Sequence, residues 1–97
     1  MAGDHDSWEP EIDLHGLSVE QATKRLHQDL YMARARGARA AVVVTGRGLG
    51  SHGGNAVLRP AIESWLRGPE GQKLGVHSLQ SVSKGGAVRF HLRAVGS

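Results

Sequence analysis

This 97-residue chain predicts an α/β domain with a mixed four-stranded sheet and two helices, in the order βαβαββ. Three observations lead there. A continuous apolar run, Ala40 to Thr45 (AAVVVT), lies between two segments of helical periodicity. A short apolar-alternating stretch, Glu11-Ile12-Asp13-Leu14-His15, precedes the first of them. The closing stretch alternates Val88, Phe90 and Leu92 with Arg89, His91 and Arg93, the pattern of a half-buried strand with a basic outer face. Strands that alternate with helices and finish in a hairpin give a mixed sheet with the helices packed on it.

Each element has its own signal. Gly16 ends the first strand. Ser18 caps the helix that follows, with Gln21 three residues on to complete a capping box. Val19, Ala22, Leu26, Leu30 and Ala33 share one helix face, Lys24, Arg25, Gln28 and Arg36 lie off it, and Arg25 and Asp29 are spaced to pair. Gly37 is the natural stop. The run from Ala40 to Thr45 reads as a strand buried on both faces. A glycine-rich loop, Gly46 to Gly54, leads to a second helix capped by Asn55, with Leu58, Ile62, Trp65 and Leu66 on its apolar side. Pro60 sits early in that helix, where only the first turn tolerates proline without a kink. Gly68-Pro69-Glu70-Gly71 reads as a loop. Val76 to Val82 forms a third strand of irregular alternation, and Lys84-Gly85-Gly86 turns the chain into the last strand. Residues 1–10 are expected to be a disordered acidic arm, and residues 11–95 the domain.

Composition bounds the partners. The formal charge is +3, but Asp4, Asp6, Glu9 and Glu11 crowd the first eleven residues. The other 86 residues carry 12 basic against 5 acidic side chains, a net of +7, and nine of the bases are arginine. Arginine is the side chain best shaped for bidentate phosphate contact, so an anionic partner, most often nucleic acid, is expected. With no cysteine there is no disulfide and no thiolate metal site. No run reaches the length of a membrane span, and the acidic N-terminus lacks the pattern of a signal peptide. A cytoplasmic monomer is the default expectation.

Chemistry concentrates in two segments, Asp13-Leu14-His15-Gly16 and Thr45-Gly46-Arg47-Gly48. Both stand at the carboxyl end of a strand, the edge at which open α/β sheets bind ligands, and they converge if the strands are neighbours. Asp13 and His15, two residues apart on a strand, point to the same side. A carboxylate beside an imidazole can orient it and raise its pKa, which suits a general acid or base near neutral pH. The same pair also fits a capping carboxylate beside a structural histidine. Five glycines in the nine residues from Gly46 to Gly54, interleaved with Arg47, Ser51 and His52, offer amides to an anion ahead of a helix N-terminus. They equally fit a turn that needs unusual backbone angles. Gly48, Gly50 and Gly53 spell G-x-G-x-x-G, but no acid follows at the end of the next strand, and no Walker lysine is present. His15, His52, His77 and His91 could meet at a zinc only by distant convergence, and the acids form no cluster in sequence, so no metal site is expected.

Together these residues resemble the Smr (Small MutS-related) family. Ile12-Asp13-Leu14-His15-Gly16-Leu17 followed by Ala22 is similar to its first signature, and Val44-Thr45-Gly46-Arg47-Gly48 to its second. Ser51, Gly53, Gly54, the run Val57-Leu58-Arg59-Pro60-Ala61-Ile62, and Trp65-Leu66 resemble the segment that follows. Gly85-Gly86-Ala87 looks like its C-terminal hairpin. The resemblance spans residues 11 to 94. It implies a two-layer α/β sandwich like the C-terminal domain of bacterial translation initiation factor three. It also implies nucleic-acid binding and, in many members, endonuclease activity on DNA or RNA. Carried onto this chain, it makes Asp13, His15, Thr45, Gly46, Arg47 and Gly48 the site residues.

In the chemistry expected, Asp13 orients His15, His15 moves a proton, and Arg47 with the loop amides stabilises the charged phosphorane. Gly50, Ser51, His52, Arg59 and Lys84, with Arg89 and Arg93, would contact phosphates. No cofactor is needed for RNA, whose 2′-OH is its own nucleophile; DNA would need an activated water or a recruited Mg²⁺. The alternative is a non-catalytic nucleic-acid-binding module within a larger repair, recombination or ribosome-associated system. Two Trp, one Tyr and one Phe leave few stacking platforms, which favours backbone over base recognition.

Overall fold

The structure, a computed structural model, describes residues 9–46, 54–82 and 86–94. The elements run β1 (Glu11–Asp13), α1 (Val19–Ala35), β2 (Ala40–Val44), α2 (Gly54–Arg67), α3 (Pro69–Lys73), β3 (Val76–Val82) and β4 (Ala87–Leu92). The four strands form one mixed sheet in the order β1-β2-β4-β3. β1 and β2 are parallel, with Asp13 opposite Val44, and β4 runs antiparallel to both β2 and β3.

α1 forms as its punctuation predicts. Ser18 and Gln21 close the capping box at 3.1 and 3.2 Å. Gly37, at φ +97°, takes the left-handed turn that ends the helix. There the amides of Gly37 and Ala38 close onto the carbonyls of Arg34 and Ala33. Ala22, Leu26, Leu30 and Ala33 are buried, whereas Val19, placed on the same face by its spacing, is exposed at the first turn. Arg34 fans its guanidinium over the carbonyls of Lys73, Arg93 and Ala94 and so fastens α1 to the ends of α3 and β4.

Three expectations are corrected. Gly68–Gly71 is not a loop: Pro69 opens the short helix α3, in keeping with the preference for proline at a first helical position. The domain therefore has three helices rather than two. Asn55 stands inside α2, which begins at Gly54, and Pro60 falls in its second turn, where the helix runs on to Arg67. β2 is fully buried on one side, whereas on the other only Ala40 is buried. Ala41 and Val43 join the core cluster with Ile12, Leu14, Val88, Phe90, Leu92, the buried residues of α1 and α2, and Leu74 at the end of α3. The alternate residues Val42 and Val44 are half-buried on the face turned away from the helices. The apolar run reads as doubly buried because valine fits a half-covered sheet face as well as a covered one.

The last two residues of the expected arm are tied to the sheet. The Val42 amide donates to the Pro10 carbonyl at 3.0 Å, and Glu9 reaches Arg89. Trp8 and the residues before it lie outside the described residues.

Candidate nucleic-acid site

The parallel pairing of β1 with β2 brings the two motif segments side by side. The Leu14 amide donates to the Val44 carbonyl at 2.8 Å, one residue beyond the last strand pair. Leu14 is fully buried and anchors the chain while Asp13 and His15 on either side stay in solvent. The Asp13 carboxylate accepts from the His15 backbone amide at 3.1 Å and is hydrogen-bonded through the same oxygen to the Nδ1 of the ring. One carboxylate thus fixes both the backbone and the imidazole of His15. With Nδ1 engaged, Nε2 is the ring nitrogen left to face a substrate.

Thr45 and Gly46 continue β2 past this pair. Thr45 is fully buried, and its hydroxyl stands 3.5 Å from the Gly46 carbonyl. The amides of Thr45 and Gly46 both donate to the Gly86 carbonyl, at 3.0 and 3.1 Å. Gly46, at φ +88°, then turns the chain out of the sheet. These two amides are engaged by Gly86, just ahead of β4, so they pin the end of β2 to that strand rather than face an anion. The sequence marks Gly86 as part of the turn before the last strand but not as a partner of Thr45 and Gly46. Its role depends on the β2–β4 register, and the available signal was a glycine pair before the strand that ends beside Thr45.

Arg47, Gly48, Gly50, Ser51, His52 and Lys84 lie outside the described residues. Arg59 does not stand free. Its Nε donates to Glu63 at 3.0 Å, and its Nη2 donates to the hydroxyl of Ser81, so it ties α2 to β3. Among the described residues no group of three or more His, Cys, Asp or Glu side chains is placed to hold a metal. A groove among the described residues runs between β1 and α1, past Pro10, Ile12, Met32 and Arg36.

Two carboxyls are held below their ordinary range. Asp13 is lowered by the hydrogen bond from the His15 ring and then by that from its amide, and Glu9 by the hydrogen bond from Arg89. A carboxyl with a depressed folded pKa stabilises the fold above its unfolded pKa and loses that contribution as pH falls through the folded value. Thermal stability should therefore hold from neutrality to about pH 5 and decline below about pH 4. Asp13→Asn and Glu9→Gln should each show a shallower decline in thermal melts across that range. A decline as steep as in the parent would show that these pairs carry none of it.

The geometry defines an α/β domain whose β1–β2 carboxyl edge carries a carboxylate–imidazole pair beside an anchored glycine turn. The chain belongs to the Smr domain family, whose members are nucleic-acid-binding, nuclease-like modules, and the family model matches residues 12–93. The crystal structure of the Smr domain of Thermus thermophilus MutS2 superposes with a TM-score of 0.68 at 31% identity, covering 87% of this chain and 98% of that one. The solution structure of the B3BP Smr domain gives a TM-score of 0.65 at 27% identity, covering 86% of this chain and 77% of that one. No curated protein matches the chain. No helix among the described residues is long and apolar enough to cross a membrane.

Proposed function

We propose that the domain is an endonuclease that cleaves RNA at the edge formed by β1 and β2. The observation that carries this reading is the Asp13–His15 pair, fixed beside Thr45 and Gly46 in a chain of the Smr family. Asp13 accepts from Nδ1 and leaves Nε2 to take the proton from a ribose 2′-OH. The 2′ oxygen then attacks phosphorus, the bond to the 5′ oxygen breaks, and the leaving oxygen takes a proton from water. Arg47 and the amides of the loop after Gly46 stabilise the phosphorane. An imidazole–carboxylate pair supplies one proton transfer, and RNA brings its own nucleophile, which is why RNA suits the pair better than DNA. The substrate's charge and the +7 balance of residues 12–97 favour their encounter.

Labelled RNA and DNA incubated with the domain, with and without EDTA, test the proposal. The expected products are RNA fragments with 2′,3′-cyclic phosphate and 5′-hydroxyl ends, formed equally with EDTA present. Cleavage of DNA alone, or loss of cleavage in EDTA, would replace the proposal with metal-assisted hydrolysis, with Mg²⁺ as the first candidate. Binding of both polymers without cleavage would make the domain a non-catalytic module.

A further inference from the structure

The sheet face turned away from the helices carries, besides Asp13, groups that the site at its edge does not use. Strand alternation and register put Glu11 and Asp13 of β1, Val42 and Val44 of β2, Arg89 and His91 of β4, and His77 and Gln80 of β3 on this side. None of them belongs to the core cluster. His77 and His91 are cross-strand neighbours whose rings stack with centroids 5.7 Å apart and planes 29° from parallel. A bulge follows His77, with Ser78 at φ +60°, and the Ser78 hydroxyl lies 3.1 Å from Nδ1 of His77. The bulge interrupts the alternation of β3 and sets the His77 ring against its partner.

One step along β4 from this platform, Arg89 is held by a carboxylate from far along the chain. Its Nε and Nη2 donate to the two oxygens of Glu9 at 3.0 and 2.6 Å. A guanidinium fork grips two oxygens of a carboxylate or of a phosphate in the same way. Glu9 precedes β1, and its carboxylate covers the Arg89 fork from the solvent side.

We propose that this open face is the track for a single strand of the nucleic acid cleaved at the carboxyl edge: a backbone phosphate replaces the Glu9 carboxylate on Arg89, and a base stacks on the His77–His91 pair. The inference rests on the proposed nuclease function and names the form of its substrate. Arg89 lies two strands across and one pleat back from Asp13, roughly 12 Å by standard sheet spacings, a span that a few nucleotides cover. A duplex keeps its bases stacked inward and offers none to a flat ring platform, whereas an unpaired strand can splay a base onto imidazoles. The acids on this face, Glu9, Glu11 and Asp13, all belong to the β1 side. The strand therefore runs over β4 and β3, with Glu9 as the resident competitor it must displace.

Binding of fluorescein-labelled ten-nucleotide oligoadenylate RNA to the full chain, read by anisotropy across a salt series, tests this. A His15→Ala background keeps the strand intact, and a blunt RNA duplex serves as comparison. Glu9→Gln keeps the shape of the side chain and removes the competing charge, so it should tighten binding severalfold. Arg89→Ala should lower the salt slope by about 0.7, the share of one phosphate on a single strand, and should abolish the gain from Glu9→Gln. His77→Ala with His91→Ala should weaken the single strand by about fivefold or more and leave the duplex unchanged. Should the alanine variants fail to fold, the imidazole NMR signals of His77 and His91 in the parent chain decide, since they must shift when the strand is added. Unchanged or weaker binding in Glu9→Gln, or imidazole signals that ignore the strand, would overturn the track. Shifted imidazoles with no RNA cleavage by the parent would support the track and overturn the nuclease proposal alone.

Discussion

His15→Ala is expected to slow RNA cleavage about 100- to 10,000-fold, the range for losing a positioned general acid or base, while the fold survives. The side chain of His15 is largely in solvent and its ring is hydrogen-bonded to Asp13, so its removal leaves no cavity. The neighbouring Leu14, fully buried in the core, keeps the backbone in place. Thermal melts should agree with the parent within about 3 °C, the reach of an ordinary surface substitution in a domain of this size. Asp13→Asn should lower the rate as well and shift its pH profile, because the amide keeps the shape of the carboxylate but not its charge. A His15→Ala variant that cleaves at the parental rate would remove the imidazole from the mechanism.

Gly71→Ala is expected to destabilise the domain by about 1–3 kcal/mol, as overpacking at a rigid site does. Helix propensity alone argues the opposite, since alanine is favoured over glycine inside a helix by about 1 kcal/mol. Packing decides the sign here. A Cβ on Gly71 would stand 1.9 Å from the Leu66 carbonyl oxygen and 2.6 Å from its carbon, both backbone atoms that cannot swing aside. α3 can turn back against the end of α2 only because residue 71 has no side chain. Unfolding curves for Gly71→Ala and for Gln72→Ala, an exposed neighbour in the same helix, separate the two effects. A Gly71→Ala chain more stable than the parent would mean that α3 does not pack this way.

This glycine also shows where sequence reading stopped. Gly68-Pro69-Glu70-Gly71 has the composition of a turn, and nothing in four residues reveals that the chain continues as a helix against Leu66. Elements with long periodic faces were legible: the Ser18 cap, the Leu26–Leu30 stripe and the Val88–Phe90–Leu92 alternation each name their partner face. Convergence of the Asp13–His15 pair with Thr45 and Gly46 followed from placing two strand ends together. The Gly86 carbonyl that anchors Thr45 and Gly46 did not, because it depends on a register between segments forty residues apart. Arginines were the least legible. The count of nine suggested free phosphate ligands, but Arg34, Arg59 and Arg89 are each held by other parts of the chain. Composition reports charge and says nothing about which charges are already answered.

The place of β4 carries a consequence for the gene as well as for the fold. It is the last strand among the described residues, yet it lies between β2 and β3, and each residue of β2 pairs with it. A frameshift or stop codon between Gly54 and Gly86 would spare both motifs in the coding sequence. It would still remove the strand that joins the two halves of the sheet and the carbonyl that Thr45 and Gly46 share. The translated fragment would contain Asp13, His15 and the whole glycine loop without a scaffold to hold them together. Intact motifs in a shortened reading frame are therefore a poor sign of a working domain, and residues 86–92 are the stretch to check first.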